Sequence, residues 1–181
     1  MLRITALVSG GGTNLQAVID GVEDGSIRDA KVVRVISSNP NAYALERARK
    51  HNIDAMVIGK ENYPDGGERT KTIVAALDEA ETDLVILAGY MSILEPSLIE
   101  AYRGRIINIH PSLIPKFCGA GFYGKHVHEA VLAAGEKESG ATVHYVDEGV
   151  DTGPVIIQEK VPVLAGDTAE TLAARVLETE H

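Results

Sequence analysis

The sequence predicts an α/β fold: a Rossmann-like, mostly parallel sheet flanked by helices on both faces, with an antiparallel hairpin near the C-terminus. Three observations predict it. Apolar runs of strand length alternate with segments of helical period through the first part of the chain, the pattern of a parallel sheet built from βαβ units. The first of these strands runs into the glycine-rich turn Ser9-Gly10-Gly11-Gly12-Thr13-Asn14. Two β-branched runs late in the chain are joined by a short connection, which permits only antiparallel pairing and makes the sheet mixed.

Taken in order, residues 4–9 form an apolar strand ending in the glycines, and residues 14–22 a helix. Residues 31–37 are a second strand, 42–51 a helix and 55–58 a short third strand. Residues 68–80 read as a helix with Ile73, Ala76 and Leu77 on one face. Leu84–Ala88 is a buried strand, 95–102 a helix and 106–110 a fifth strand, stopped by Pro111. After a glycine-rich loop, residues 127–134 form a helix. Residues 141–146 and 155–161 are strands joined by the turn 147–154. Residues 168–179 form the last helix, with Asp167 as its expected N-cap. No repeats or linkers interrupt this order, so residues 1–181 are expected to be one domain.

Composition narrows the function classes. The chain has 181 residues, is 45% hydrophobic and 24% charged, and carries a net charge of −9. An acidic surface excludes nucleic acid as a bulk partner, because phosphate backbones need basic ones. No Trp and an aromatic content of 4% leave little for base stacking. No apolar run is long enough to span a membrane. The single Cys118 cannot form an internal disulfide, which fits a reducing cytoplasm.

Two places carry chemistry. In the loop 9–14, glycines let the backbone approach an anion and the following helix N-terminus offers free N–H groups, with Thr13 and Asn14 as further donors. A phosphate monoester suits it; a plain strand–helix turn is the alternative. A dinucleotide would want an acid after the second strand, where the chain reads Ser37-Ser38-Asn39. A P-loop would want a Lys after the glycines.

The second place is Asn108-Ile109-His110-Pro111-Ser112 with the distal Asp151 in Val150-Asp151-Thr152-Gly153-Pro154. Alternation along a strand puts Asn108 and His110 on one face, at the end that faces the ligand crevice of an open α/β sheet. An amide and an imidazolium can stabilise negative charge growing on a carbonyl oxygen, and a carboxylate beside the histidine would orient the ring. Singly, each residue reads equally well as turn or strand-end chemistry. His144 lies in an apolar strand and reads as structural. His126 and His128, with His110 or His144, would be the only histidine grouping to consider for a metal. Cys118 has no local base and reads as a packing residue.

These segments, with Ser9-Gly10-Gly11-Gly12-Thr13-Asn14-Leu15-Gln16, together resemble the folate-dependent formyltransferases over nearly the whole chain. Within that group they resemble the phosphoribosylglycinamide formyltransferase (GAR transformylase) family. The resemblance implies a formyltransferase fold and transfer of a formyl group from the co-substrate 10-formyltetrahydrofolate to the amine of 5′-phosphoribosylglycinamide, in purine biosynthesis. It implies catalytic roles for Asn108, His110 and Asp151, and 5′-phosphate binding by Gly12, Thr13 and Asn14. Glu180 would contact the ribose or glycinamide. Met91, Ser92, Ile93 and Leu94 would line the folate pocket, with Asn108, Asp147, Glu148 and Asp151 as further folate contacts; Arg69 could be one more, though a solvated helix face is the stronger reading of it. It implies small-molecule substrates only, no metal, and a cytoplasmic monomer or homodimer.

The chain departs from the family pattern in three places. Ser92 stands where a basic residue is common. The loop 117–126 is longer than in some relatives and suggests a flap. The sequence stops at His181, just after Glu180, where relatives continue, so a truncated end is expected. A methionyl-tRNA formyltransferase would need a basic second domain, and a formyltetrahydrofolate hydrolase an extra regulatory domain before the glycine loop. A non-enzymatic nucleotide-binding module would use the glycine turn alone.

Overall fold

Alternation decides how the first strand is used. In the computed structural model, which describes residues 1–119, 121–149 and 151–181, strand β1 (Leu2–Val8) sends Ile4, Ala6 and Val8 into one apolar cluster. Thr5 and Leu7, also buried, face the other way. Helix α1 (Thr13–Glu23) covers the first face with Leu15 and Ile19, and α2 (Tyr43–Lys50) with Ala44 and Ala48. The chain divides into two compact units, Met1–Ile107 and Asn108–His181.

The first unit adds β2 (Ala30–Ser37), β3 (Asp54–Val57), α3 (Gly66–Glu79), β4 (Leu84–Ala88) and α4 (Pro96–Ala101). Its strands run parallel in the order β3-β2-β1-β4. Chain direction reverses across the sheet between β3 and β4. Right-handed crossovers therefore put α1 and α2 on one face and α3 on the other, with α4 packed against α3. The reversal leaves a switch point between β1 and β4, where the loops after these strands diverge.

Strand β5 (Ile106–His110) leads into the second unit and stops before Pro111 as expected. Helix α5 (Lys125–Ala133) follows. Strands β6 (Glu138–Tyr145) and β7 (Val155–Pro162) then form the antiparallel hairpin, and α6 (Ala169–Glu180) ends the chain. Val131 of α5, Ala141 and Val161 of the hairpin, and Leu172 and Val176 of α6 form its core.

The predicted fold class is the one observed, and two details correct the sequence reading. Strand β6 begins at Glu138 rather than residue 141. Gly140 is the reason: a Cβ there would overlap the Glu159 carbonyl across the ladder, so a residue that reads as a turn is a site of close strand approach. The N-cap of α6 is Thr168, not Asp167. Thr168 accepts from the Thr171 N–H, and the Thr171 hydroxyl answers the Thr168 N–H in a capping box. Asp167 instead holds Arg175 through both carboxylate oxygens, at 2.8 and 3.0 Å.

Candidate active site

In the first unit, the turn after β1 behaves as its glycines suggest. Gly12 is the N-cap of α1 and sits in the left-handed region at φ 77°, a conformation glycine adopts without a Cβ penalty. Gly10 to Asn14 line a cleft of about 200 Å³ with Ala88 and Gly89 from the end of β4. That is the switch point, where open α/β sheets bind ligands. Thr13 opens the helix, whose first-turn N–H groups have no intrahelical acceptors.

The segment after β4 lies in the same unit. Met91 is 65% exposed and Ile93 93% exposed, so two large apolar side chains stand outside the core. The Met91 N–H donates to the Ser9 hydroxyl at 2.8 Å, which ties this segment to the start of the glycine turn. Arg69 donates to the Tyr63 carbonyl at 2.9 Å and its charge reaches Tyr90. Burial pushes the Tyr90 phenol up, opposed by a Ser92 hydrogen bond and by Arg69. Arg69 thus acts on Tyr90, the residue that precedes the Met91–Leu94 segment.

In the second unit, Asn108, His110 and Asp151 come together, and His144 joins them. The Asp151 carboxylate serves two imidazoles: Oδ2 lies 3.4 Å from His110 Nδ1 and Oδ1 3.6 Å from His144 Nε2. Oδ2 also accepts the Gly119 N–H at 3.0 Å. Asn108 Nδ2 lies 3.5 Å from His144 Nε2, and His144 Nδ1 faces the Tyr145 carbonyl at 2.9 Å. His110 and His144 are both almost fully buried. Alternation explains the cluster: Asn108 and His110 share a face of β5, and His144 leaves β6 at a bulge between Val143 and His144, the kind of irregularity that re-aims a side chain.

The electrostatics follow from that packing. Burial works against charge on His144, but the Asp151 carboxylate, the Tyr145 carbonyl and Asp147 outweigh it and hold the imidazole above its ordinary value. Burial likewise opposes an ionised Asp151, yet His144, the Gly119 N–H and His110 keep its carboxyl below the usual range. Burial, then the neighbouring His110, holds His128 down, and its Nδ1 has no partner among the described residues. Burial and Asp151 push the Cys118 thiol up, so it is no activated nucleophile.

A hydroxyl hub sets the loop after His110. The Thr142 hydroxyl donates to the Ser112 carbonyl at 2.7 Å and accepts the Ile114 N–H at 3.1 Å. The buried Ser112 hydroxyl donates to the Lys116 carbonyl. This carries the Phe117 carbonyl to 2.8 Å from His110 Nε2. Both His110 nitrogens thus face an oxygen.

The other expected residues are placed differently. Glu180 lines a separate cleft of about 550 Å³ with Ile109 and Val143, residues that alternate away from the Asn108 and His110 face. Asp147 accepts from the Gly149 N–H and the Thr152 hydroxyl, at 2.9 and 2.6 Å, so it shapes the loop that presents Asp151. Glu148 lies in the same loop. Ala120 and Val150, one in each of the two site loops, lie outside the described residues. His126 and His128 lie on helix α5, where a spacing of two separates side chains; His126 packs edge-on to the Tyr123 ring at 5.2 Å. His144 was the residue whose role the sequence understated. Its signal was the period-two match of Thr142 and His144 on a strand near the Asp151 turn.

Comparison with known proteins bears on this arrangement. The formyl transferase family model matches residues 2–181. A phosphoribosylglycinamide formyltransferase of Haemophilus influenzae is 41% identical over 181 residues, covering 100% of this chain and 82% of that protein. A trifunctional purine biosynthetic protein adenosine-3 of Drosophila pseudoobscura is 46% identical over 180 residues, 99% of this chain; the chain spans only 13% of that longer protein. The crystal structure of glycinamide ribonucleotide transformylase 1 from Symbiobacterium toebii superposes with a TM-score of 0.92 at 44% identity, covering 99% of this chain and 82% of that one. The chain belongs to the formyl transferase family, and within it groups with the phosphoribosylglycinamide formyltransferases.

Proposed function

We propose that this chain transfers the formyl group of 10-formyltetrahydrofolate to the amine of 5′-phosphoribosylglycinamide, giving the formylated ribonucleotide and tetrahydrofolate for purine biosynthesis. The observation that carries the reading is the buried cluster of Asn108, His110, His144 and Asp151 in a chain of this family. Gly12, Thr13 and Asn14 hold the substrate phosphate, and Met91 to Leu94 with Arg69 offer an apolar, singly charged surface to the folate. Asp147 and Glu148 contribute from the loop that carries Asp151, and Glu180 is assigned to the ribose or glycinamide. Residues 1–181 act as one catalytic domain in the cytoplasm, as a monomer or homodimer, without a metal. No helix among the described residues is long and apolar enough to cross a membrane.

The chemistry is an acyl transfer. The amine nitrogen attacks the formyl carbon, the carbonyl pair moves onto oxygen, and the carbon–N10 bond then breaks as that pair returns. A proton leaves the attacking nitrogen and one reaches folate N10. Asn108 and His110 donate to the oxyanion. Asp151 balances the charged imidazole and relays the proton from amine to leaving nitrogen. His110 Nε2 is engaged by the Phe117 carbonyl, so it can donate to the formyl oxygen only when the 117 loop gives it up.

The test is absorbance-followed formyl transfer with and without the ribonucleotide, on the wild type and His110→Ala. We expect turnover that needs both substrates and falls by roughly 10²–10⁴ in the variant, the usual worth of such a group. Near-normal turnover in His110→Ala would remove the assignment. Folate consumption without the ribonucleotide would make the protein a hydrolase.

A further inference from the structure

Helix α2 grips the glycine turn from the side opposite β4. The Ala44 N–H, one of the orphan donors of the first turn of α2, bonds the Gly10 carbonyl at 3.0 Å. Arg47 Nε bonds the next carbonyl, that of Gly11, at 2.6 Å. The same guanidinium donates to the Gln16 side-chain oxygen on α1 at 3.2 Å and rests over the Tyr43 ring at 4.9 Å. Gly12 itself lies against this helix: a Cβ there would stand 2.6 Å from Ala44 Cβ and 3.4 Å from Arg47 Cδ.

A trans peptide is planar, with its C=O and N–H pointing in opposite directions. Fixing the Gly10 carbonyl on α2 therefore turns the Gly11 N–H away from α2, and fixing the Gly11 carbonyl does the same for the Gly12 N–H. In the strand order β3-β2-β1-β4, α2 links the strands on one side of β1, while the cleft opens toward Ala88 and Gly89 at the end of β4. Successive N–H groups aimed into one concavity make an anion nest, and the N-terminus of α1 adds to it.

We propose that Arg47 is a positioning residue for this cradle: its hydrogen bond to the Gly11 carbonyl sets the glycine-turn N–H groups toward a bound phosphate monoester. The inference rests on reading the turn as the phosphate site. Arg47 need not touch the phosphate; its work is to hold one peptide plane. That separates it from a cation acting through charge, and the two can be told apart by isosteres. In glutamine, Nε2 is as many bonds from the backbone as Nε is in arginine, so Arg47→Gln keeps a donor for Gly11 and loses the charge. In methionine a methyl group takes that place, so Arg47→Met keeps bulk without donor or charge.

The experiment is calorimetric titration of the full chain and both variants with inorganic phosphate and with ribose 5-phosphate, after circular dichroism has shown the variants folded. We expect Arg47→Gln to bind within about threefold of the wild type and Arg47→Met to weaken by about tenfold or more, the worth of a charge-assisted hydrogen bond. In turnover, Arg47→Met raises KM for the ribonucleotide more than it lowers kcat. Equal weakening in both variants would show a charge effect and overturn the positioning role. Wild-type binding by both variants would overturn it as well. A wild type that binds neither probe brings down the phosphate reading itself, an outcome independent of Arg47.

Discussion

Asp151 shows what a single residue is asked to do. It sits at φ 56°, a strained conformation for a residue with a Cβ, and one carboxylate faces His110 and His144. The His144 pairing has a pH signature. A histidine held above its ordinary 6.5 is favoured as imidazolium by the fold. Its contribution to stability is complete below that value and disappears as pH rises through the raised one. Asp151, held below its ordinary 3.8, contributes above that value and loses its contribution as pH falls through the lowered one. The pair therefore stabilises most in the window between. We expect the melting-temperature advantage of the wild type over His144→Leu to be greatest near about pH 5–6 and to shrink by about pH 9. A gap that stays constant across that range would mean His144 and Asp151 are not paired as ions. The sequence showed Asn108 and His110 as a strand-face pair and Asp151 as a bendable loop residue. For His144 it offered only the period-two match with Thr142; where the strand bulges to re-aim that ring is a tertiary fact.

The elements repeat this division between what is local and what is not. Helices and strands were legible because their apolar periods are local, and β4 and β5 fall on their predicted residues. The start of β6 and the cap of α6 were not, because Gly140 is explained by a neighbouring strand, and Asp167, whose carboxylate is taken up by Arg175, leaves the cap to Thr168. The glycine turn was legible as a turn, but the sequence did not say which of its three glycines the fold requires. A Cβ on Gly10 or Gly11 meets nothing within 4 Å, whereas on Gly12 it strikes Ala44 at a positive φ. Gly12→Ala should therefore destabilise by about 1–3 kcal/mol, the size of such backbone strain, and weaken phosphate binding at the same time. Gly11→Ala should leave the melting temperature within about 1 kcal/mol of the wild type in equivalent stability. Thermal melts of the two variants make the comparison, and equal losses would refute the assignment of the turn's geometry to Gly12.

At the scale of the whole molecule, charge and substrate chemistry pull apart. The protein carries a net charge of −9, and both proposed substrates are anions. Long-range steering therefore opposes their arrival. The phosphate site proposed for the glycine turn would rely on backbone N–H groups and a helix N-terminus, with Arg47 turned to a carbonyl. A site built from lysines and arginines on the phosphate would weaken steeply as salt screens them. Here, screening mainly relieves the repulsion of the acidic surface, since the Debye length falls below about 10 Å above roughly 0.1 M, while dipoles in contact with the ligand are screened far less. We expect KM for the ribonucleotide to change by less than about threefold, or to fall, as salt rises from about 0.05 to 0.3 M. Steady-state kinetics over that range decide it. A KM that climbs about tenfold would show that mobile cations, not the oriented peptide groups of the glycine turn, hold the phosphate.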